Sequence, residues 1–205
     1  MTAPATARRG RRQRTRRRLL LTARRLFLAH GYGPVHIADI ADATGCTTGA
    51  LGKHYPYKHL IGHEVAERLT ALAVHRIRDA HPRDRSHLVT TLTKWARTVT
   101  SHPEWIWFEL DLAATGPEHR AQHHDRRHRI HAALTELLTT TIEPCPGIEL
   151  PTTAASLIAA LVGLAIGPPD DATSDHQWIR TQIELVLPAP NDRTFPRTST
   201  PIQES

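Results

Sequence analysis

An all-α fold is predicted for this chain of 205 residues, and three observations predict it. Apolar residues recur at three- and four-residue steps along most of the chain, which is the spacing of amphipathic helices. Glycine and proline interrupt this pattern at intervals that suit helices joined by short turns. The sequence shows no credible pair of strands. The chain is therefore predicted to be a succession of packed helices.

The charge distribution divides these helices into two parts. Residues 1–60 carry twelve basic and two acidic residues, whereas the rest of the chain carries fourteen basic and eighteen acidic ones. A basic end on a mildly acidic body is typical of a polyanion-binding module joined to a separate domain. A solubilising tail would account for the first dozen residues but not for those that follow. Residues 1–15 lack apolar periodicity and are predicted to form a disordered basic arm.

Three helices are predicted in a domain over residues 16–60. They extend from about Arg16 to a stop at Gly31, from Ile37 to Gly45, and from an N-cap at Thr47 to about His54. Pro56 ends the third helix.

A larger helical domain is predicted over residues 61–187, followed by a disordered tail over 188–205. Its helices are predicted near Tyr57–Ala80, Ser86–Thr100, Pro103–Ala114, Pro117–Ile142, Thr152–Ile166 and Asp171–Leu187, with a loop over 143–151.

Composition excludes several other classes of protein. No apolar run approaches the roughly 18 residues that a membrane span needs, so no membrane partner is expected. The basic N-terminus lacks the apolar stretch of a signal peptide, so a cytoplasmic protein is expected. Cys46 lies in an apolar pattern and Cys145 lies between two prolines, so the two are predicted to be separate thiols. We expect no cofactor.

Residues 37–55 have the pattern of a helix-turn-helix. Ala41 is small where two helices would approach, and Gly45 can adopt a positive φ at the turn. Ile37, Ile40 and Leu51 would pack inward. The residues predicted to project from the second of these helices toward a DNA major groove are Thr47, Thr48, Gly49, Ala50, Lys53 and His54.

The run from Leu19 to Leu60 resembles the DNA-binding signature of the tetracycline-repressor (TetR) family. The residues that carry the resemblance are Ala23, Leu26-Phe27, Gly31-Tyr32, Ile40-Ala41, Gly45, Gly49, Leu51, His54-Tyr55 and Lys58-His59-Leu60. The resemblance implies a three-helix DNA-binding domain, a helical effector domain, and a homodimer on near-palindromic double-stranded DNA. It also implies that Lys58 meets a phosphate. To the residues named above we add Arg16, Arg17, His36 and Tyr55 as candidate DNA contacts.

One position departs from the family pattern. Gly52 stands where such proteins usually have a tyrosine that touches the DNA backbone. Glycine inside a helix also costs about 1 kcal/mol relative to alanine, and Gly49 adds a second weak point. The third helix is therefore predicted to form poorly before it meets DNA.

Eight arginines lie between Arg8 and Arg18 with no acid nearby. Phosphates would relieve their mutual repulsion, and release of counterions would favour binding. Some of them could enter a narrow minor groove, although attraction to the backbone is the expected role of most.

The segment Pro103–Ala114 is apolar on nearly all sides and is predicted to be a buried helix. A carboxylate at Glu109 among aromatic residues must find a partner or a solvated cavity. Aromatic walls with one polar group suit a small-molecule pocket, although a plain core helix is the alternative. By the family resemblance, an effector is predicted to contact Trp95, Trp105, Phe108, Glu109 and Leu112.

Histidines crowd the helix near residues 117–142. His124, His128 and His131 share one face, and His119 and His123 precede them. Such spacing can hold zinc or nickel. Because arginines interleave with the histidines and repel cations, a solvated or pH-sensitive face is the preferred interpretation, and no metal is predicted.

The segment Thr152–Ile166 carries a stripe of small residues that lets another helix approach. A fully internal helix is the alternative, and the family resemblance favours a four-helix dimer interface. Its predicted contacts are Ala155, Ile158, Ala159, Val162, Gly163, Ile179 and Ile183.

The sequence thus predicts a homodimeric DNA-binding regulator, most simply a repressor that an unidentified small molecule releases from its operator, and not an enzyme. Two other hypotheses rank lower. One is a metal-dependent or acid–base enzyme that uses the histidines with Glu109 or Asp111, for which no nucleophile motif or phosphate loop is found. The other is an architectural DNA-binding protein without an effector.

Overall fold

The computed structural model describes residues 3–142, 149–166 and 176–187. Regular structure within these ranges is helical throughout, which confirms the predicted all-α fold. The helices are α1 (Ala3–His30), α2 (Ile37–Thr44), α3 (Thr48–Gly52), α4 (Lys58–Arg78), α5 (Arg85–Ser101), α6 (Glu104–Ala114), α7 (Pro117–Thr141), α8 (Leu150–Ile166) and α9 (His176–Val186). Most of the predicted 143–151 loop, Cys145, the start of the last predicted helix and the 188–205 tail lie outside the described residues.

The N-terminal segment differs from the disordered arm predicted for residues 1–15, because α1 already begins at Ala3. Alanine and arginine are strong helix formers, and Pro4 lies in the first turn, where its missing N–H is not needed. Arg9, Arg11 and Arg12 are exposed, so solvent screens their repulsion. Propensity therefore outweighs like charge in this segment.

Helices α1 to α3 form the predicted helix-turn-helix domain, which we call the head. Gly31 and Gly45 have φ values of 82° and 71°, so both helix stops use the left-handed conformation that glycine tolerates. The side chain of Thr47 caps α3 by accepting a hydrogen bond of 3.1 Å from the Ala50 N–H. Leu51 is fully buried in the head core.

The head core does not end at residue 60, where the sequence placed the domain boundary. Ile61, Val65 and Ala66 of α4 are buried in it. Gly62 makes this close packing possible, because a Cβ there would lie 2.8 Å from the ring of Tyr32. The first half of α4 therefore belongs structurally to the head, and its second half to the remainder, which we call the body.

Helix α6 joins the head to the body. Phe108 and Leu112 are fully buried in the head core, where the ring of Phe108 stacks on that of Phe27 at a centroid distance of 5.4 Å. The Tyr32 N–H also donates to Asp111 of α6 over 3.3 Å. A second core, built from α4, α5, α7, α8 and α9, fills the body.

A buried ion pair fixes α6 against α7. Glu109 and Arg126 are 5% and 1% exposed, and Arg126 Nη2 donates to Glu109 Oε2 over 2.7 Å. Arg126 Nε and the His123 ring complete the partners of this carboxylate. These hydrogen bonds lower the pKa of Glu109 despite burial, which acts in the opposite direction. Glu109, which the sequence predicted to need a partner or a solvated cavity, therefore has its partners on α7.

A histidine pair continues this network to α4. His63 Nε2 and His119 Nδ1 are 2.7 Å apart in the interior, and Arg126 lies 3.5 Å from the other nitrogen of His63. Burial lowers the pKa of His63 to about 4, with Arg126, His119 and His59 adding to the effect and Glu109 opposing it. His63 is therefore neutral in the folded protein near neutral pH.

Within the described ranges, none of the helices combines the length and the apolar character that crossing a bilayer requires.

The low pKa of His63 predicts an acid-sensitive fold. Unfolded His63 takes up a proton near pH 6.5, whereas folded His63 does so only near pH 4. The free energy of unfolding should therefore fall as pH decreases between these values, by at most about 1.4 kcal/mol per pH unit from this group. Urea unfolding at a series of pH values should show a shallower decline for His63→Gln than for the natural protein.

The matched control is His81→Gln, since His81 is exposed outside the network. An identical pH dependence for His63→Gln and His81→Gln would contradict the assigned role of His63.

Candidate DNA-binding surface and ligand cavity

One side of α3 is exposed on the surface of the head. Thr48, Gly49, Ala50 and Lys53 are exposed, as is the N-cap Thr47. Leu51 points the opposite way into the core. The sequence thus identified both faces of this helix, and the exposed one has the size and polarity to enter a major groove.

Helix α3 is shorter than predicted, because it ends at Gly52 rather than near His54. A Cβ added at Gly49 or at Gly52 would meet no atom within 4 Å. Neither glycine is therefore required by packing, and their conformational freedom weakens the helix.

The position of Tyr55 differs from the prediction, which made it a DNA contact. Its side chain is 2% exposed, and its hydroxyl donates to Glu64 over 2.7 Å while accepting from Arg16 over 3.2 Å. Burial is the main cause that raises the pKa of Tyr55 to about 12. Tyr55 is thus a structural link that ties α1 to α4 rather than an exposed contact.

Arg16 belongs to the same cluster. It forms an ion pair with Glu64, while about half of its side chain stays exposed. Hydrogen bonds to Tyr55 and Glu64 raise the pKa of Arg16. Arg16 is therefore held in one position at the head surface, while its neighbour Arg17 is exposed.

Lys58 lies at the start of α4, as the family resemblance implied. Its Nζ donates to the Gly33 carbonyl over 2.9 Å and lies 4.3 Å from the centre of the Tyr32 ring. Partial burial lowers the pKa of Lys58. These contacts fix the ammonium beside the turn that precedes α2, where His36 is exposed. His54, after α3, is half-buried, and burial lowers its pKa as well.

The body contains an apolar cavity of about 190 Å³ between α4, α5, α6, α7 and α8. Trp95 and Trp105 line it as predicted, and so does Glu109, whose carboxylate is bonded to Arg126 and His123. Phe108 and Leu112 do not line it. Their assignment to the ligand site is corrected: they pack in the head core, on the other side of α6.

Other cavity residues were not singled out from the sequence. Thr70 is 1% exposed, and its hydroxyl has no hydrogen-bond partner among the residues that the structure describes. Ile158 and Val162 of α8 also line the cavity, although the sequence assigned them to a dimer interface. The spacing along one helix could not reveal these contacts, because they depend on how α4 and α8 pack together.

The residues predicted to form the dimer interface lie partly on the surface and partly in the core. Ala155, Ala159 and Gly163 are exposed along one face of α8. Ile179 and Ile183 are 1% and 4% exposed and belong to the body core of the same chain. Their assignment to the interface is corrected, since the outward side of α9 instead carries Leu185, which is 75% exposed.

The histidine-rich helix α7 distributes its histidines among different surroundings. His119 and His123 face the buried network, while His131 bonds the Pro151 carbonyl over 2.9 Å. His124 and His128 are exposed. In the described part of the chain, no group of three or more potential ligands is arranged to hold a metal ion.

Residues 19–60 match the family model described as "Bacterial regulatory proteins, tetR family". No curated protein sequence matches the chain at a significant level.

Many solved structures share the fold. GusR from Salmonella enterica has a TM-score of 0.69 and 19% identity, covering 91% of this chain and 98% of that one. PfmR, a TetR-family transcriptional regulator from Thermus thermophilus, has a TM-score of 0.60 and 21% identity over 83% and 94% of the two chains. A regulator from Saccharomonospora viridis, solved with choline, has a TM-score of 0.68 and 22% identity over 84% and 94%.

The helix-turn-helix is where the family model matches, and the fold of the whole described chain is that of TetR-family structures. These two findings relate the chain to the TetR family: residues 19–60 match the model of that family's regulatory proteins, and the described part of the chain shares the fold of solved TetR-family regulators.

Proposed function

We propose that this chain is a DNA-binding transcriptional regulator of the TetR family, a cytoplasmic homodimer that represses transcription from a near-palindromic operator and is released by a small molecule. The observation that carries the proposal is the exposed face of α3 beside an arginine-rich α1, on a body that encloses a cavity. A binding protein rather than an enzyme is also the simpler interpretation, because Glu109 is tied to Arg126 and His123.

The head supplies the DNA-binding part of the proposal. Lys53 and Arg17 are exposed, and the Lys58 ammonium, anchored to Gly33, keeps further N–H groups for a phosphate. The face formed by Thr47, Thr48, Gly49 and Ala50 carries no bulky side chain, so it can approach base edges closely.

Two copies of the chain would place two heads on one operator. Ala155, Ala159 and Gly163 let a second helix approach α8 closely, and Leu185 on α9 would lose its exposure in a four-helix contact. Two-fold symmetry of such a dimer requires operator half-sites about one helical turn apart, or a multiple of it.

The cavity would couple a ligand to DNA binding by shifting a conformational equilibrium. Helix α6 lines the cavity through Trp105 and Glu109, and it reaches into the head core through Phe108. A ligand that favours one position of α6 therefore also favours one position of the head. The Saccharomonospora viridis regulator, which shares the fold, was solved with a small molecule bound. A purely architectural DNA-binding protein would need no such cavity.

The first prediction of this proposal concerns DNA retention. Fragments of the source chromosome should be retained by the full-length protein at low ionic strength. If the dimer neutralises 6–10 phosphates, affinity should fall about 10³–10⁵-fold between 50 and 200 mM salt. In a mobility-shift titration, the double variant Arg17→Gln/Lys53→Gln should bind more weakly and with a smaller salt slope, by about 0.9 for each phosphate that the variant no longer neutralises.

The matched control removes the same charge from the body, as Lys94→Gln/Arg97→Gln on the exposed side of α5. Equal retention by the two double variants, or no sequence preference at any salt concentration, would overturn the proposed operator binding.

A second prediction concerns the dimer. Ala159→Arg would insert a long charged side chain into the small-residue stripe of α8, so the chain should sediment as a monomer at micromolar concentration. Its operator affinity should fall by at least tenfold, because the second head is no longer tethered. Thr139→Arg, at an exposed site on α7, is the control and should remain dimeric. A dimeric Ala159→Arg variant would contradict the proposed interface.

A further inference from the structure

A second, larger space lies next to the cavity. It is an open groove of about 700 Å³ between α1, α4, α5 and α6, a volume in the range of small-molecule sites. Trp95 and Trp105 border both the groove and the cavity, together with Ala73, Ile77 and Val99. The two spaces therefore adjoin along these side chains.

The groove has an apolar floor and a basic rim. Leu28, Leu69 and Leu72 form part of its floor. Its charged lining residues are Arg24, Arg25, Arg76 and Glu104, with His102 beside them. No hydrogen bond or ion pair within the described residues engages the three guanidinium groups. This rim therefore attracts anions.

The cavity itself does not offer a site for a cation. Among the described residues that line it, the one carboxylate is that of Glu109, which already pairs with Arg126 and His123. Arg127 lines the cavity with no carboxylate partner in the described part of the chain, so the remaining charge is positive. The buried Thr70 hydroxyl also lines the cavity; it lacks a hydrogen-bond partner in the described ranges and can bond a polar atom of a ligand.

From these features we infer that the effector is an elongated amphipathic anion. Its apolar chain would lie between Trp95 and Trp105, and its acidic end group would lie at Arg24, Arg25 and Arg76. This inference rests on the proposed function for its regulatory consequence, but not for binding itself. Guanidinium groups bind carboxylates through paired, charge-assisted hydrogen bonds, and the apolar floor removes the apolar chain of the ligand from water.

The location of the groove gives such a ligand a direct contact with the head. Arg24 and Arg25 belong to α1, whereas Arg76 belongs to α4 beyond the head core. An anion held by all three would fix the angle between α1 and the second half of α4. No residue of α8 or α9 lines the groove, so the proposed dimer contact would leave it open.

Calorimetric titration of the full-length protein without DNA tests the inference, with decanoate, decanol and decylamine as probes below their micellar concentrations. Decanoate should bind at least tenfold more tightly than decanol, and decylamine more weakly than either. Arg24→Gln/Arg25→Gln and Arg76→Gln should each reduce the affinity for decanoate at least about tenfold, because each variant removes at least one charge-assisted hydrogen bond. Both should leave decanol binding unchanged.

Arg14→Gln/Arg17→Gln is the matched control, since it removes two exposed charges from the same helix outside the groove. Equal affinity for the three probes, or no binding of decanoate, would overturn the inference. If Arg127→Gln lost the preference for decanoate over decanol while the three groove arginines proved dispensable, the position assigned to the acidic end group would be wrong. DNA retention by the unliganded protein is measured separately, and its absence would refute the proposed function while leaving a positive titration intact.

Discussion

The stacking of Phe108 on Phe27 is the contact on which the architecture depends. It carries a residue of α6 into the head core, so the head is completed by a helix that also lines the cavity. Without α6, the small head would lack two fully buried apolar side chains and the packing around Tyr32. The head and the body therefore share their hydrophobic interior rather than meeting across a flexible linker.

The buried polar network sets the position of α6 from the opposite side. Glu109 cannot remain charged and buried without Arg126 and His123, and Arg126 in turn extends toward His63 of α4. A displacement of α6 would strain these hydrogen bonds as well as the aromatic stack. Such geometry favours discrete positions of α6 over continuous ones, which is what a ligand-dependent equilibrium between two states requires.

The sequence predicted those features that depend on local chemistry. Gly45 and Thr47 indicated the turn and the cap of the helix-turn-helix, and Glu109 indicated a partner elsewhere. The sequence could not predict which helix faces pack together. Helix α6 is apolar nearly all round, so its periodicity does not distinguish the side that faces the head, with Phe108, from the side that faces the cavity, with Trp105. The same ambiguity placed Ile179 at a dimer surface, although it lies in the core.

The most direct test of this architecture is a double-mutant cycle between Phe27→Leu and Phe108→Leu, measured by urea unfolding. The two substitutions should be non-additive, with a coupling free energy of about 0.5–1.5 kcal/mol, because each removes the same aromatic contact. The pair Phe108→Leu and Leu157→Ala, whose residues lie in separate cores, should be additive. Additivity of the Phe27 and Phe108 substitutions within about 0.3 kcal/mol would contradict the claim that α6 completes the head.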